Sequence, residues 1–433
     1  SYTFGVIIGG FSTDIYLLLI ARTFQGIGIS FIPVAYSIIK DIFPVKRMAI
    51  AQSIFTSMFA FGSVLGILLG GSIIQYYGWN MTFYSLIPVT IVIVIVVGRL
   101  SHKIERGDYQ DEIKEKQKTE PIPKSIDKPY HKNRIQIDKI KRIVNTIDIK
   151  GTLLLAVFLT SFFLLLTSFE NSSNNTNGNA YSDLFNLERI ILLAITIVTI
   201  LLFVYVELKN KDSKLIDLRL LTNKLILIPN LLSLIVGFWI FTLFYTIPIL
   251  AKNPLPVGLG ITSVDTSFLL LPYGVVVLIF GPSSGYIISK FGSTSPVLVG
   301  TIISLIGFIM FLFFYSIELL LSISLLIVAI GISLTTIGSI NVVMLYTPKQ
   351  SSGMSFAITS LLKLLGSAIG PALAAVFLEN FQYSVPIDSI IKYLPSAESY
   401  NLIFLTSVIV SIMAISLAIL LRHYTKQQVV RNP

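Results

Sequence analysis

Apolar runs long enough to cross a bilayer recur along nearly the whole chain, with only short polar stretches between them. A hydrocarbon core about 30 Å thick needs roughly 20 apolar residues in a helix. Backbone facing lipid must satisfy its own hydrogen bonds, which helices do within one segment. Charged residues make up 12% of the chain, against about a quarter in soluble domains. The fold class expected from this pattern is an all-α integral membrane protein that crosses many times.

Twelve apolar segments are read: 1–11, 15–40, 48–76, 81–98, 149–168, 188–206, 225–250, 263–288, 295–316, 318–345, 353–378 and 399–421. The first would be about 15 Å long as a helix. It is therefore expected to be the remainder of a span that begins upstream.

The net charge of +10 does not point to nucleic acid, because the basic residues sit in alternate connections. One set holds Lys40, Lys46 and Arg47, the basic residues of 99–150, Lys209 to Lys224, Lys290, Lys349 and the tail. The opposite set holds only Arg189, Lys252 and Lys392, while Arg22 and Lys363 fall inside segments. The positive-inside rule then places both termini in the cytoplasm, with the plasma membrane the expected location. The chain has no cysteine, and its histidines, His102, His131 and His423, lie outside the segments. Disulfides and thiolate or His-ligated metal sites are set aside, and no cofactor is called for.

Two connections are long. Residues 99–150 read as a charged cytoplasmic linker, and 169–187 as a polar external loop with sequons at Asn171 and Asn174. The expected organisation is an N-terminal bundle (1–98), the linker (99–150), a central helix pair (151–206), a second cytoplasmic linker (207–224) and a C-terminal bundle (225–425).

The two bundles share a repeat. Pro44 precedes Gly62-Ser-Val-Leu-Gly66 by the same spacing as Pro348 precedes Gly366-Ser-Ala-Ile-Gly370. Both glycine pairs lie in helices expected to run the same way. Parallel halves of this kind are one known transporter architecture, with substrate bound between them near the midplane.

Arg22-Thr-Phe-Gln25-Gly26-Ile-Gly28 lies within a segment. A cation at that depth costs about 2.5–3.5 kcal/mol, so it should meet a polar cavity or a partner. Gln25 shares its face, and Gly26 and Gly28 permit close helix approach. On the next segment Gly62, Gly66 and Gly70, followed by Gly71, form a smooth ladder for helix packing. Taken with Gly78-Trp79, Asp148-Ile-Lys-Gly151 and Asp217-Leu-Arg-Leu, this order resembles the drug/proton antiporter branch of the major facilitator superfamily, in its fourteen-span class. The resemblance covers essentially the whole chain.

It implies a two-bundle transporter with two extra central helices, about twelve of fourteen spans being present and the chain starting within the third. It implies efflux of small amphipathic compounds coupled to protons, carried out by a monomer in the lipid bilayer. Gly285, Ser289, Lys290 and Gly292 are similar to the second copy of the family's cytoplasmic loop motif, with Ser289 where aspartate is usual. Ile67 stands where the ladder usually carries proline, whereas Pro371 follows the repeat-related Gly370. Lys363 falls near mid-depth and reads as a switchable charge or an anion contact. Arg22, Gln25 and Lys363 are the expected transport-path residues.

No Asp or Glu falls deep within a segment, Asp14 and Asp265 lying near external ends; the resemblance implies a proton-carrying acid on the first span, upstream of Ser1. A membrane enzyme would need clustered carboxylates or phosphate-binding His/Arg sets, which the sequence lacks. A non-transporting sensor or scaffold, and an importer of sugars or organic anions, are the other readings.

Overall fold

The computed structural model describes residues 1–119, 148–170, 187–209, 218–387 and 390–431. Residues 120–147 of the expected linker, 210–217 of the second linker and both sequons, Asn171 and Asn174, lie outside them. The helices are α1 (Tyr2–Gly10), α2 (Ile15–Ile29), α3 (Ile32–Ile42), α4 (Val45–Tyr77), α5 (Asn80–Thr119), α6 (Ile149–Glu170) and α7 (Leu187–Lys209). They continue with α8 (Lys224–Lys252), α9 (Ser263–Phe291), α10 (Thr294–Phe314), α11 (Glu318–Tyr346), α12 (Ser352–Asn380) and α13 (Ala397–Arg431). Among the described residues, 11 stretches of helix are long and apolar enough to cross a membrane, with Ile15–Ile42 counted as one. With 9 residues, α1 is too short to be counted with them.

Local chemistry sets many of the boundaries. Asp14 accepts from Leu17 N at 2.8 Å, Asn223 from Leu225 N at 3.0 Å and Asp148 from Gly151 N at 2.9 Å. Each side chain satisfies an orphan donor at a helix start. Thr262 caps α9 by accepting from Asp265 N at 3.2 Å, and its hydroxyl donates back to the Asp265 carboxylate at 2.7 Å. Asp14 and Asp265 are thus cap groups. Segment 15–40 is interrupted at Ser30 and Phe31, because Pro33 has no N–H to offer the carbonyl of Ile29. Helix α5 runs on to Thr119, well past the predicted end at residue 98.

The described residues fall into two compact units, Ser1–Phe31 with Ile73–Ile147, and Ile32–Ser72 with Asp148–Pro433. In the first, α1 packs on α2 and α5. Phe4 meets Phe24 edge-on at 4.9 Å, and the Asn80 amide donates to the carbonyls of Gly10 and Ser12 at 3.3 and 3.2 Å.

The second unit is built around α8, which packs against α11, α12 and α13, while α10 packs against α11 and α13. Its centre is aromatic: Trp239, Phe308, Phe311, Tyr400 and Phe404 are all fully buried, with Phe311 stacked on Phe404 at 5.2 Å. The pair α6–α7 is tied by the Thr196 hydroxyl donating to Ser161 at 3.1 Å and by Arg189 donating to the Ser168 carbonyl at 2.7 Å. Phe203 of α7 and Ile358 of α12 are the buried centre of a smaller cluster beside it.

Between α12 and α13 lies an antiparallel hairpin, β1 (Gln382–Ile387) and β2 (Ile390–Pro395), with Tyr383 opposite Leu394 and Val385 opposite Lys392. The sequence reading had no strands here. The hairpin is anchored by the Asn253 amide, which donates to the Pro395 carbonyl at 2.8 Å and to the Tyr400 hydroxyl at 3.3 Å.

Candidate functional site

In the first unit, Arg22 and Gln25 are one turn apart on α2. Arg22 Nη1 donates to Gln25 Oε1 at 3.1 Å, and its guanidinium carbon sits 5.3 Å from the centre of the Phe83 ring. Gln25 is buried and Arg22 is exposed. The glycines of α1 make this possible. A Cβ on Gly5 would lie 2.6 Å from the Ala21 carbonyl and 2.9 Å from the Gln25 side chain, and one on Gly9 would strike the Phe83 ring. A guanidinium has five N–H donors, and one hydrogen bond is made here among the described residues. Gly28 abuts Tyr2, whereas Gly26 has nothing within 4 Å. A cavity of about 350 Å³ in the same unit is lined by Ile73, Tyr77, Met81, Tyr84 and Ser85.

In the second unit, Lys363 lies eleven residues past the start of α12, about 16 Å along the axis. It is half-buried, and its ammonium makes no hydrogen bond or ion pair among the described residues. Its backbone forms part of the closest helix crossing in this region. A Cβ on Gly237 of α8 would lie 3.0 Å from the Lys363 carbonyl carbon and 3.1 Å from Ser367 N. One on Gly366 would lie 2.8 Å from the Leu234 carbonyl carbon, and one on Gly370 2.7 Å from the Phe238 carbonyl oxygen. One turn before Lys363, the Thr359 hydroxyl donates to Asn230 Oδ1 of α8 at 2.6 Å. Pro371 sits inside α12 directly after this crossing.

The repeat-related ladder behaves differently. Gly62, Gly66 and Gly70 have nothing within 4 Å, while a Cβ on Gly71 would lie 2.8 Å from Ser267 Oγ. The face of α4 that touches α9 is another one. Ser53 meets Gly285, Ser57 meets Gly281, Val64 meets Gly274 and Gly71 meets Ser267. Each advance along α4 is matched by an equal retreat along α9, the register of an antiparallel pair. Small residues on one helix or the other let the backbones approach closely.

Helix α9 extends beyond the predicted end at residue 288 and takes in Ser289 and Lys290. Gly285 is buried, Ser289 and Lys290 are exposed, and Ser289 donates to the Tyr286 carbonyl at 2.8 Å. Gly292 follows with φ at 77° and ψ at 171°, a backbone conformation open essentially to glycine alone.

Sequence reasoning missed Gly237, Gly274 and Gly281. The spacing of Gly274, Gly281 and Gly285 by seven and then four is a one-face helical pattern and carried the signal. Gly237 had no companion to mark it. It also stopped the segment at residue 206, whereas α7 runs on to Lys209 and takes in Glu207, 1% exposed. The Glu207 carboxylate lies near Asp148 at Gly151, where a Cβ would be 2.7 Å from Asp148 Oδ2 and 3.0 Å from Glu207 Oε1.

Compared with known proteins, residues 1–209 and 230–433 match the family model described as Major Facilitator Superfamily. The uncharacterized MFS-type transporter YhcA of Bacillus subtilis (strain 168) is 23% identical over 397 residues, covering 89% of this chain and 64% of that protein. Multidrug resistance protein Stp of Mycobacterium tuberculosis (strain CDC 1551 / Oshkosh) is 23% identical over 372 residues, covering 85% and 60%. Quinolone resistance protein NorB of Staphylococcus aureus (strain MRSA252) is 26% identical over 363 residues, covering 83% and 68%. The chain thus spans under two thirds of the length of YhcA and Stp. Among solved structures, the human organic anion transporter MFSD10 (TETRAN) resembles it in fold, with a TM-score of 0.53 and 13% identity over 96% of this chain and 74% of that one.

Proposed function

The chain belongs to the Major Facilitator Superfamily, a family of multi-pass membrane transporters rather than enzymes, and we propose that it serves in secondary active efflux of small amphipathic compounds, coupled to proton antiport. The observation that carries this reading is the Arg22–Gln25–Phe83 arrangement. It is an intramembrane guanidinium with one amide partner and an aromatic face, and most of its donors are left over for a moving ligand or a titrating carboxylate. An isolated cation within a span is expensive and marks a pathway. The apolar, tyrosine-bearing cavity of the same unit suits an amphipathic guest. The names of Stp and NorB, resistance proteins for multiple drugs and quinolones, point the same way.

In this reading the bundles 1–98 and 225–425 rock about a midplane path bordered by Arg22, Gln25 and Lys363. The protein acts as a monomer in the plasma membrane with both termini cytoplasmic. A second reading, import of a sugar or organic anion, draws for the anion on Lys363, whose ammonium has no hydrogen-bond or ion-pair partner among the described residues. Reconstituted protein should expel a cationic dye from vesicles when a pH gradient is imposed, and a protonophore should stop it. Arg22→Ala should lower that rate about tenfold. Dye movement indifferent to the gradient would remove proton coupling, and an Arg22→Ala rate equal to the parent would remove Arg22 from the path.

A further inference from the structure

An arginine inside a span tends to climb out of it, because its long apolar stem can stay in lipid while the charge reaches the interface. Arg22 is placed to do so. It stands seven residues past the start of α2, about 10 Å in. Helical side chains lean toward the N-terminal end of their helix, which the positive-inside reading makes the external end of α2. The start of α5 lies at that same end, since the Asn80 amide donates to the carbonyls of Gly10 and Ser12 in the connection leading to α2. The guanidinium nevertheless stops at Phe83, three residues past the start of α5, with its carbon 5.3 Å from the ring centre.

The ring itself has little freedom. Phe83 is 6% exposed. Gly9 of α1 lies so close that a Cβ there would be 2.5 Å from two of its ring carbons, and one on Gly10 would be 3.6 Å from Phe83 Cβ. Trp79 meets the ring edge-on at 6.2 Å. On the other side, one turn deeper along α2, Gln25 Oε1 accepts from Arg22 Nη1. Two fixed groups therefore hold the guanidinium, and Nε and Nη2 have no hydrogen-bond partner among the described residues. That pair is a fork suited to planar acceptors such as a carboxylate.

We infer that Phe83 is a positioning residue, whose ring holds the Arg22 guanidinium within the span, against the pull of the external interface, and keeps the Nε–Nη2 fork in one orientation. The inference rests on the transporter reading, which makes Arg22 a path residue, and adds what keeps it there. The chemistry calls for an aromatic ring at this place. An aromatic face attracts a cation through its quadrupole, and tyrosine offers the same face. Leucine would fill much of the space and offer the cation nothing. The neighbouring Tyr84 ring meets Phe11 at 5.4 Å and packs at Gly10, so it removes aromatic bulk at the same place without a part in holding Arg22.

Purified protein in micelles can be treated with p-hydroxyphenylglyoxal, which adds to guanidinium groups, and the adduct at Arg22 followed by peptide mass spectrometry. Phe83→Leu should raise the Arg22 labelling rate about fivefold, the scale of a lost cation–π contact, while Phe83→Tyr should keep it near the parent's. Gly9→Ala pushes on the ring without touching Arg22 and should raise the rate as well, an independent route should Phe83→Leu fail to fold. Tyr84→Leu should leave it unchanged. In vesicles, Phe83→Leu should slow gradient-driven dye efflux severalfold in the parent but not further in Arg22→Ala, and Phe83→Tyr should restore most of it. Arg22 labelling that is the same in Phe83→Leu as in the parent, or raised as much by Tyr84→Leu, would overturn the positioning role. So would an equal further loss of efflux when Phe83→Leu is added to Arg22→Ala, because the ring would then act without Arg22. If the parent moves no dye at all, the proposed function fails, while the labelling rates still decide whether Phe83 holds Arg22.

Discussion

Replacing Gly366 with alanine is the cleanest test of the α8–α12 crossing. The new Cβ would sit 2.8 Å from the carbonyl carbon of Leu234 and 3.0 Å from Phe238 N, where unstrained carbon contacts lie at about 3.5–4.0 Å. Both obstructing atoms are backbone, so no rotamer change relieves the clash, and the helices must part by several tenths of an ångström or more. Overpacking of this kind costs about 1–3 kcal/mol. The same substitution at Gly353, an exposed position in the first turn of α12 with nothing within 4 Å, should instead gain up to about 1 kcal/mol from helix propensity. The two Gly→Ala variants are therefore expected to differ by roughly 1–4 kcal/mol, in opposite directions about the parent. Denaturant unfolding in mixed micelles measures this. The chain has 2 tryptophans, and with Trp79→Phe the remaining signal is Trp239, fully buried one residue after Phe238. If Gly366→Ala unfolds at the same denaturant concentration as Gly353→Ala, the close crossing is not a property of the protein.

Two further perturbations follow the same logic. Gly281→Ala places a methyl group on Ser57 Oγ and should cost about 1–3 kcal/mol. Ser57→Gly made in the same chain should restore most of the loss, and additive effects of the two changes in a double-mutant cycle would rule out direct contact. Arg189→Met removes a charged donor from the Ser168 carbonyl, a bond of 2.7 Å at one end of the α6–α7 pair. It should lower stability by about 1.5–3 kcal/mol, read as earlier thermal loss of monodisperse protein in detergent; an unchanged profile would count against that tie.

Hydropathy and loop charge read from the chain alone yielded the all-helical membrane class and the order of the spans. These properties belong to single segments, because lipid demands that each segment satisfy its own backbone. The resemblance carried by Arg22, Gln25 and the glycine ladder led to the family for the same reason, since a motif is written in contiguous residues. Helix ends were less legible. The chain continues past residue 98 in α5 and past residue 206 in α7, because helices do not stop where their apolar character does. Pro33 divides a segment that hydropathy read as one.

Which glycines touch a neighbour was decided only in three dimensions. Gly62 and Gly366 occupy matching places in the repeat, yet in the structure one faces open space and the other the backbone of Leu234. Each opens the same Gly-Ser-x-x-Gly pattern; what differs is the helix alongside, and that pattern does not record it. Lys40 marks the same boundary. As a basic residue at a helix end it reads as one more topology signal, and only packing α3 against α12 places its ammonium on the carbonyl of Thr347, 307 residues away.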